Sequence, residues 1–435
     1  MAGKIEWYHE FVNKKYNPKP NDVKVLFKYK PAEGMTKEEV IGRVASESSS
    51  GTWTTLANRP KLLKKVMAYG YDYDKDYVKI AYPRILFEDG SVPCMMSGIA
   101  GNIFGMKAVE GLRLQDAELP MDYVKGFKGP KFGQTAIQKI FKRKHGPITS
   151  VVPKPKVGYT SKEHAYFVAK QVWSGGIDCV KDDENLTNQK FNKFADRVKY
   201  LAKVRDQVMK DTGDIKDAFI NCTSPTLKEM EKRVKMVHDY GFNYFMLDLV
   251  VGGFTAVGTA VELSYDYKMA IHGHRAMHAA FTKNPDHGIS MLFLAKLYRL
   301  MGVDNIHTGT VVGKLDGNEK EIMAMKDMIM EPKVDEIKNI RLAQKWGKIK
   351  PSLPISSGGL HPGLIPAVFD VYGTMNIGLQ LGGGTQGHPD GIEAGSRAMM
   401  QAIEAHRQGI ELKDYAKNHK ELARALEKWG VMKPI

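Results

Sequence analysis

Ile177-Asp178-Cys179-Val180-Lys181-Asp182-Asp183-Glu184 is a short, mainly apolar run that ends in four consecutive charged residues. Seven other runs also end in polar or glycine-rich residues: Ile148–Lys156, Asp217–Ser224, Tyr244–Val251, Met269–Ala276, Asn305–Lys314, Ser352–Gly359 and Ile377–Gly384. Between them lie segments long enough for helices, among them Ser161–Trp173, Lys190–Asp211, Thr226–Tyr240 and Ile289–Leu300, with apolar residues at three-to-four spacing. Strand alternating with helix implies parallel strands joined by right-handed crossovers. An open doubly wound sheet alternates in the same way but gathers its ligand groups at one switch point. Here nearly every strand end carries a candidate, so the expected fold is a closed (β/α)8 TIM barrel with its chemistry at the C-terminal ends of the strands.

The barrel leaves the first third of the chain unexplained. Val23–Tyr29, Tyr77–Pro83 and Ser97–Phe104 are β-rich, whereas Thr36–Ser46 and Lys61–Tyr69 have helical patterns, which predicts a smaller α+β domain. The breaker-rich stretch Gly126–Gly133 marks its end, giving an N-terminal domain over 1–128 and a barrel over 129–435. After the eighth strand, Gly391–Arg407 and Leu412–Trp429 read as two closing helices. Two domains also suit 435 residues, more than a single core usually supports.

The net charge of +15 raises the question of nucleic acid, but the lysines are spread along the chain and no RNA motif or Cys/His finger spacing accompanies them. The densest basic stretch, Lys125 to Lys144, includes the interdomain segment and reads as a solvated face. Positive charge also attracts a small, multiply phosphorylated substrate. Cys94, Cys179 and Cys222 are widely separated, which argues against a disulfide framework or structural zinc and for a reducing cytoplasm. The N-terminus has no apolar signal core, and the most apolar stretch, Phe242–Val261, contains Asp248 and reads as a strand entering its loop and helix. Neither a membrane nor a nucleic-acid partner is expected.

Three local patterns imitate known motifs. Gly382-Gly383-Gly384-Thr385-Gln386-Gly387 satisfies G-x-G-x-x-G but follows the last strand, so no dinucleotide-binding βαβ unit can be completed. Gly309-Thr310-Val311-Val312-Gly313-Lys314 is one residue short of a P-loop and has Leu315 where a hydroxyl is needed. His274-Arg275-Ala276-Met277-His278 has zinc-like histidine spacing, but Arg275 replaces the glutamate of a metalloprotease, and His278 reads as structural.

What remains suits phosphates, a hard cation and an enolate. Strand alternation puts Lys181 and Asp183 on one face and Asp182 on the other, and Glu184, just past the strand, can turn back. Two carboxylates and one more oxygen ligand suit Mg²⁺; a solvated acidic turn paired with lysine is the plain alternative. A lysine fits a magnesium site if CO2 converts its neutral amine into a carbamate. Gly358, Gly359, Gly382 and Gly383 follow the seventh and eighth strands, where barrels build phosphate sites from backbone N–H groups. Ordinary turn glycines are the alternative there.

From about residue 20 onward the chain closely resembles the large subunit of ribulose-1,5-bisphosphate carboxylase/oxygenase (RuBisCO). The resemblance rests on Gly175 through Asn185, Lys154-Pro155-Lys156, His274 through His278, Gly309 through Lys314, Ser356-Ser357-Gly358-Gly359, Gly382 through Thr385, and Glu47-Ser48-Ser49-Ser50-Gly51-Thr52-Trp53. The compact length and the ending Tyr415 through Ala423 are most similar to the archaeal form III branch.

The resemblance implies that Lys181 is carbamylated by activator CO2 and holds Mg²⁺ with Asp183 and Glu184. The carbamate would remove the C3 proton of the bisphosphate to give an enediolate. Lys154 would protonate the product-side carbanion, with Lys156 on the same strand face tuning it, and Lys314 would stabilise the carboxylate forming from CO2. Arg275 and His307 match the grip on one phosphate, Ser357 and His274 match contacts to sugar hydroxyls, and His274 joins the catalytic group. Glu47, Thr52, Trp53 and Asn102 would come from the neighbouring subunit, so a homodimer, or a ring of such dimers, with shared sites and no small subunit is implied. The implied activity is carboxylation with an oxygenase side reaction, in nucleotide salvage or else in a CO2-fixation cycle. A RuBisCO-like enolase or isomerase is an alternative, although such relatives usually replace several of Lys154, Glu47, Thr52 and Lys314, all kept here. A basic binding protein on a degenerate barrel would show gaps in these residues, and there are none.

Overall fold

The computed structural model describes residues 7–309 and 319–432. Contacts divide the chain into two compact units: Met1–Gly129 with Met277–Met301 and Glu331–Ile349, and Pro130–Ala276 with Gly302–Met330 and Lys350–Ile435.

The first unit is built on strands β1 (Val23–Pro31), β2 (Tyr69–Tyr73), β3 (Tyr77–Tyr82) and β4 (Val109–Glu118). They pair antiparallel in the order β4-β1-β3-β2, and the short strand Gly288–Ile289 adds to the outer edge of β4 in parallel. Helix Lys37–Glu47 starts where the Thr36 hydroxyl caps the Glu39 N–H.

Three sequence expectations change in form. Ser97–Phe104 is not a strand: helix Val92–Ile99 runs into it, followed by a 3-10 turn at Asn102–Gly105. Ser91 caps that helix at Cys94, a proline lies in its first turn, and Val92, Met95, Met96 and Ile99 are buried at helical spacing. The strand in this region is β4, seven of whose consecutive residues are buried, so it lacks clean alternation. Lys61–Tyr69 holds only one helical turn, Leu63–Val66, because Tyr69 already opens β2. Leu412–Trp429 forms two helices, Leu412–Ala416 and Lys420–Trp429, in place of one.

The second unit contains strands β5 (Ile148–Val151), β6 (Cys179–Lys181), β7 (Asp217–Phe219), β8 (Tyr244–Asp248), β9 (Ala270–His274), β10 (Asn305–His307), β11 (Leu353–Ser357) and β12 (Gly378–Leu381). All pair in parallel in the order β7-β6-β5-β12-β11-β10-β9-β8. The ends meet where Met246 N donates to Ile220 O at 2.8 Å and Cys222 N donates to Met246 O at 2.9 Å, which closes the cylinder. The eight strands lie within the eight runs read from the sequence, and each is shorter than its run. Helices Phe194–Thr212, Leu227–Asp239, Leu249–Asp266 and Ile392–Arg407 cover this sheet or close it.

Ile148, Cys179, Phe219, Tyr244, Met246, Ala270, Leu353 and Ile355 form one buried cluster with Ile137, Ile140 and Phe141. Each fully buried aliphatic side chain contributes about 1.5–3 kcal/mol, so the barrel interior is a packed core. Its N-terminal end is tied by aspartates. Asp304 accepts from Phe132 N and Gly133 N at 2.6 Å each and from Ile271 N at 2.7 Å. Asp178 accepts from Thr149 N at 2.8 Å and Arg143 at 2.9 Å, and Asp217 accepts from Asn243 Nδ2 at 2.9 Å. With the N-terminal end locked in this way, the C-terminal end carries the clustered polar groups. The three cysteines are free thiols, and no helix among the described residues is long and apolar enough to cross a membrane.

Candidate functional site

At the C-terminal end of the barrel, a cavity of about 260 Å³ is lined from the ends of several strands. β6 and its loop supply Lys181, Asp183 and Glu184; the loop after β5 supplies Lys154 and Lys156. β9 and β10 supply His274 and His307, β11 and its loop Ser357, Gly358 and Gly359, and β12 and its loop Gln380, Gly382, Gly383 and Gly384.

The run Lys181–Glu184 alternates as far as Asp183, and Glu184, in the turn that follows, comes back to the same side. Lys181, Asp183 and Glu184 face the cavity, whereas Asp182 is buried outside its lining. Lys181 Nζ donates to the Asp182 carbonyl at 2.7 Å. Burial lowers the Lys181 pKa below the ordinary lysine value, against the opposing pull of Glu184, Asp248, Asp183 and Asp182. Asp183 Oδ1 accepts from Asn185 N at 3.2 Å and Nδ2 at 2.9 Å, and its Oδ2 lies 3.5 Å from Lys154 Nζ. Glu184 lies 3.3 Å from Lys156 Nζ and 3.8 Å from His274 Nε2. Partial burial opposes its ionisation, but a backbone hydrogen bond and the charges of His274, Lys181 and Lys156 hold its pKa at about 2.

Lys154 and Lys156 lie beyond the end of β5, so the expectation that they share a strand face is corrected: loop contacts hold them. Lys154 N donates to Gln386 Oε1 at 2.7 Å, Gln386 Nε2 to Val152 O at 2.8 Å, and Tyr159 OH to Lys154 O at 2.8 Å. These bonds bring Lys154 over the carboxylates.

The opposite wall is a histidine relay. His272 Nε2 and His307 Nε2 are 2.9 Å apart, and His307 Nδ1 is 3.1 Å from Ser357 Oγ. Burial pushes both pKa values well below the ordinary histidine value, so one neutral ring donates to the other. His272 stacks on Phe219 with centroids 4.0 Å apart. His274 Nδ1 lies 3.3 Å from Asp248 Oδ1, and burial, followed by the Lys181 charge, lowers its pKa. Arg275 follows β9, its guanidinium lying against Gly309, and burial lowers its pKa to about 10.

Gly358 and Gly359 have φ of 120° and 70°, conformations that side chains rarely adopt, and they turn the loop after β11 back over the cavity. A Cβ on Gly384 would lie 2.1 Å from Leu360 O, so the two glycine loops approach closely there.

In the first unit, Glu47, Thr52 and Trp53 line one cavity of about 240 Å³ with Tyr8, Arg43 and Lys107. Trp53 is 75% exposed. Asn102, at the start of its 3-10 turn, is exposed and outside that lining. Lys314 lies outside the described residues.

Among the described residues, no cluster of three or more His, Cys, Asp or Glu side chains could hold a metal ion. A cation held by Asp183 and Glu184 would need a third donor, and Lys181 on the same wall would provide one only as a carbamate. That donor set, three oxygen ligands from the protein, fits Mg²⁺. His278 Nδ1 meets Thr282 Oγ1 at 2.9 Å, in keeping with a structural role.

Sequence reading passed over His272, Asn221, Asp248, Gln380 and Gly384. His272 and Asp248 carried a usable signal, a polar residue in or at the end of an apolar strand. Gln380 offered the same signal in β12. Asn221 and Gly384 offered none beyond position.

Residues 134–429 match the family described as ribulose bisphosphate carboxylase large chain, catalytic domain, and residues 10–123 match its N-terminal domain. The chain is 46% identical over 435 residues to the ribulose bisphosphate carboxylase of Pyrococcus abyssi, covering 99% of each chain. It is 48% identical over 439 residues to that of Thermococcus onnurineus, covering 98% of each. Among solved structures it is similar to a dimeric archaeal Rubisco from Hyperthermus butylicus, with a TM-score of 0.93 and 45% identity over 98% of this chain and all of that one. It is also similar to an octameric Rubisco from Pyrococcus horikoshii OT3, with a TM-score of 0.91 and 46% identity over 98% of each chain.

Proposed function

Since the chain belongs to the ribulose bisphosphate carboxylase large chain family, we propose that it adds CO2 to ribulose 1,5-bisphosphate and splits the product into two molecules of 3-phosphoglycerate. The observation that carries this reading is the single cavity wall bearing Lys181, Asp183 and Glu184, with Lys154 reaching Asp183 and glycine loops on neighbouring strands.

In this reading the Lys181 amine, which burial makes easier to deprotonate, attacks in its neutral form the carbon of an activator CO2 and loses a proton, which leaves an anionic carbamate. A bound Mg²⁺, held by that carbamate with Asp183 and Glu184, would stabilise negative charge developing on substrate oxygens. A carbamate on Lys181 would supply the base for the C3 proton. His274, oriented by Asp248, and Ser357, held by His307, contact the sugar hydroxyls. Lys314 would stabilise the carboxylate forming from CO2, and Lys154 returns a proton to the product-side carbanion, with Lys156 setting the local field. Arg275 and His307 hold one phosphate; backbone N–H groups at Gly358, Gly359, Gly382 and Gly383 hold the other.

The same reading makes a homodimer the smallest active unit, with Glu47, Thr52, Trp53 and Asn102 of one copy completing the site of the other and no small subunit. The dimeric and octameric relatives support a dimer or a ring of dimers. An oxygenase side reaction, a form III role in nucleotide salvage and a cytoplasmic location complete it. Incubating the purified protein with Mg²⁺, ribulose 1,5-bisphosphate and ¹⁴CO2 should label 3-phosphoglycerate. Enolisation of the bisphosphate without labelled product would instead assign the chain to enolase chemistry.

A further inference from the structure

Asp182 is the one member of Lys181–Glu184 that does not line the cavity, and it sits in a dense, buried polar cluster. Its Oδ2 accepts from Arg197 Nε at 3.0 Å and from Asn221 N at 2.9 Å, while its Oδ1 faces His164 Nε2 at 3.5 Å. Arg197 is fully buried on the first turn of helix Phe194–Thr212. It also donates to Thr187 O at 2.8 Å, Asn192 O at 3.2 Å and Asn192 Oδ1 at 3.0 Å. The segment from 182 to 192, which contains Asp183 and Glu184, is thus clipped to one guanidinium. His164 lies on the π-helical turn His164–Ala169, and burial lowers its pKa to about 4, so a neutral ring faces the carboxylate. Asn221 extends the clip: its Nδ2 lies 3.3 Å from Glu184 O and 3.1 Å from Asp248 Oδ2.

A buried ion pair is a weak device for stability, because well-packed apolar residues of similar volume often do as well or better. Its place here points to orientation. Along extended backbone, fixing Asp182 on one face fixes the directions of Lys181 and Asp183 on the other. Groups that orient metal ligands from behind commonly change metal affinity by about tenfold to a hundredfold when removed.

We propose that Asp182 and Arg197 are positioning residues that preset Lys181, Asp183 and Glu184 for the cation, so that their loss weakens Mg²⁺-dependent carbamate formation independently of fold stability. The inference rests on the carbamate and Mg²⁺ reading of this site, and the test separates the two. Full-length protein is incubated with ¹³CO2 and titrated with Mg²⁺, the Lys181 carbamate is followed by ¹³C NMR, and melting temperature is recorded in parallel. Asp182→Asn and Arg197→Lys should raise the Mg²⁺ half-saturation by about tenfold or more. Arg197→Lys keeps a buried cation and serves if Asp182→Asn does not fold; His164→Gln is a third, milder lesion. Asp217→Asn, which alters a buried carboxylate at the other end of the barrel, should lower the melting temperature and leave the half-saturation alone. Wild-type half-saturation in the folded Asp182, Arg197 and His164 variants would overturn the inference while leaving the carbamate reading intact. An equal shift in Asp217→Asn at matched loss of melting temperature would overturn it too, by showing a general effect of stability. No carbamate in the wild-type protein at any Mg²⁺ concentration would remove the reading on which the inference stands, and the inference with it.

Discussion

Lys181 has two properties that bear on activation: it is buried, and its amine rests on a carbonyl oxygen with carboxylates nearby. Burial lowers its pKa, so the neutral amine persists to lower pH than for an exposed lysine, and below the lowered pKa the ammonium form prevails. Preincubation with CO2 and Mg²⁺ should therefore raise the initial rate, and activation should slow as pH falls through that lowered value. Lys181→Arg should abolish activation, because a guanidinium does not form the carbamate; a fully active Lys181→Arg protein would refute the ligand set. Lys314 enters later in the proposed sequence, after proton removal. Lys314→Ala should keep much of the exchange of the substrate C3 proton with solvent at saturating bisphosphate while carboxylation falls by about a hundredfold or more, the scale for removing a preorganised charge. A parallel loss of exchange and carboxylation would take Lys314 out of gas addition. The residue types of this site were legible because charges interrupt apolar strands at their ends. Their partners were not: Arg197 and Asn221 meet Asp182 from 15 and 39 positions away, a pairing that no local pattern encodes.

At the scale of elements, the barrel strands are only three to five residues long and buried throughout or nearly so, with His274 and Ser357 the partly exposed ends. Apolar runs and breakers revealed them, whereas the ties at their N-terminal ends came as single aspartates inside those runs. Asp304 joins the Phe132–Gly133 backbone, β9 and the start of β10 through three N–H donors. Asp304→Ala would leave those donors unsatisfied, and each buried orphan costs about 1–3 kcal/mol. Urea unfolding should show a loss of at least about 3 kcal/mol; a loss below about 1 kcal/mol would mean that water or backbone shifts replace the carboxylate. The misread element, Ser97–Phe104, shows the converse. Its β-prone residues were outweighed by the Ser91 cap, a first-turn proline and apolar spacing of three and four, signals that belong to Val92–Ile99 as a whole.

At the scale of the molecule, the proposed function needs two copies of the chain. Glu47, Thr52 and Trp53 share a cavity in the first unit, and the carboxylates and Lys154 share one in the second. If one copy's first unit completes the other's barrel site, Glu47→Gln or Asn102→Ala protein should be poorly active alone, as should Lys181→Met. After random subunit exchange, half of the dimers would be mixed and one of their two sites would carry neither lesion, so about a quarter of wild-type turnover should return. No recovery, with exchange confirmed by differently tagged subunits, would show that each chain builds its own site. The net charge of +15 belongs to this scale as well, since it favours the approach of an anionic sugar bisphosphate.

By itself the sequence determined the alternation of strand and helix, the barrel class, the smaller α+β unit, and the clustering of lysines, carboxylates, histidines and glycines at strand ends. Each of these depends on periodicity or breakers within a few turns of chain, which is the range over which backbone geometry is local. Only the tertiary structure decided that Asp182 turns to Arg197 and His164, that His307 bridges His272 and Ser357, and that Gly384 meets Leu360. Those contacts join neighbouring strands of the barrel, the loops that follow them and the helices beside them, and those adjacencies are set by the packing and hydrogen bonding of the whole barrel.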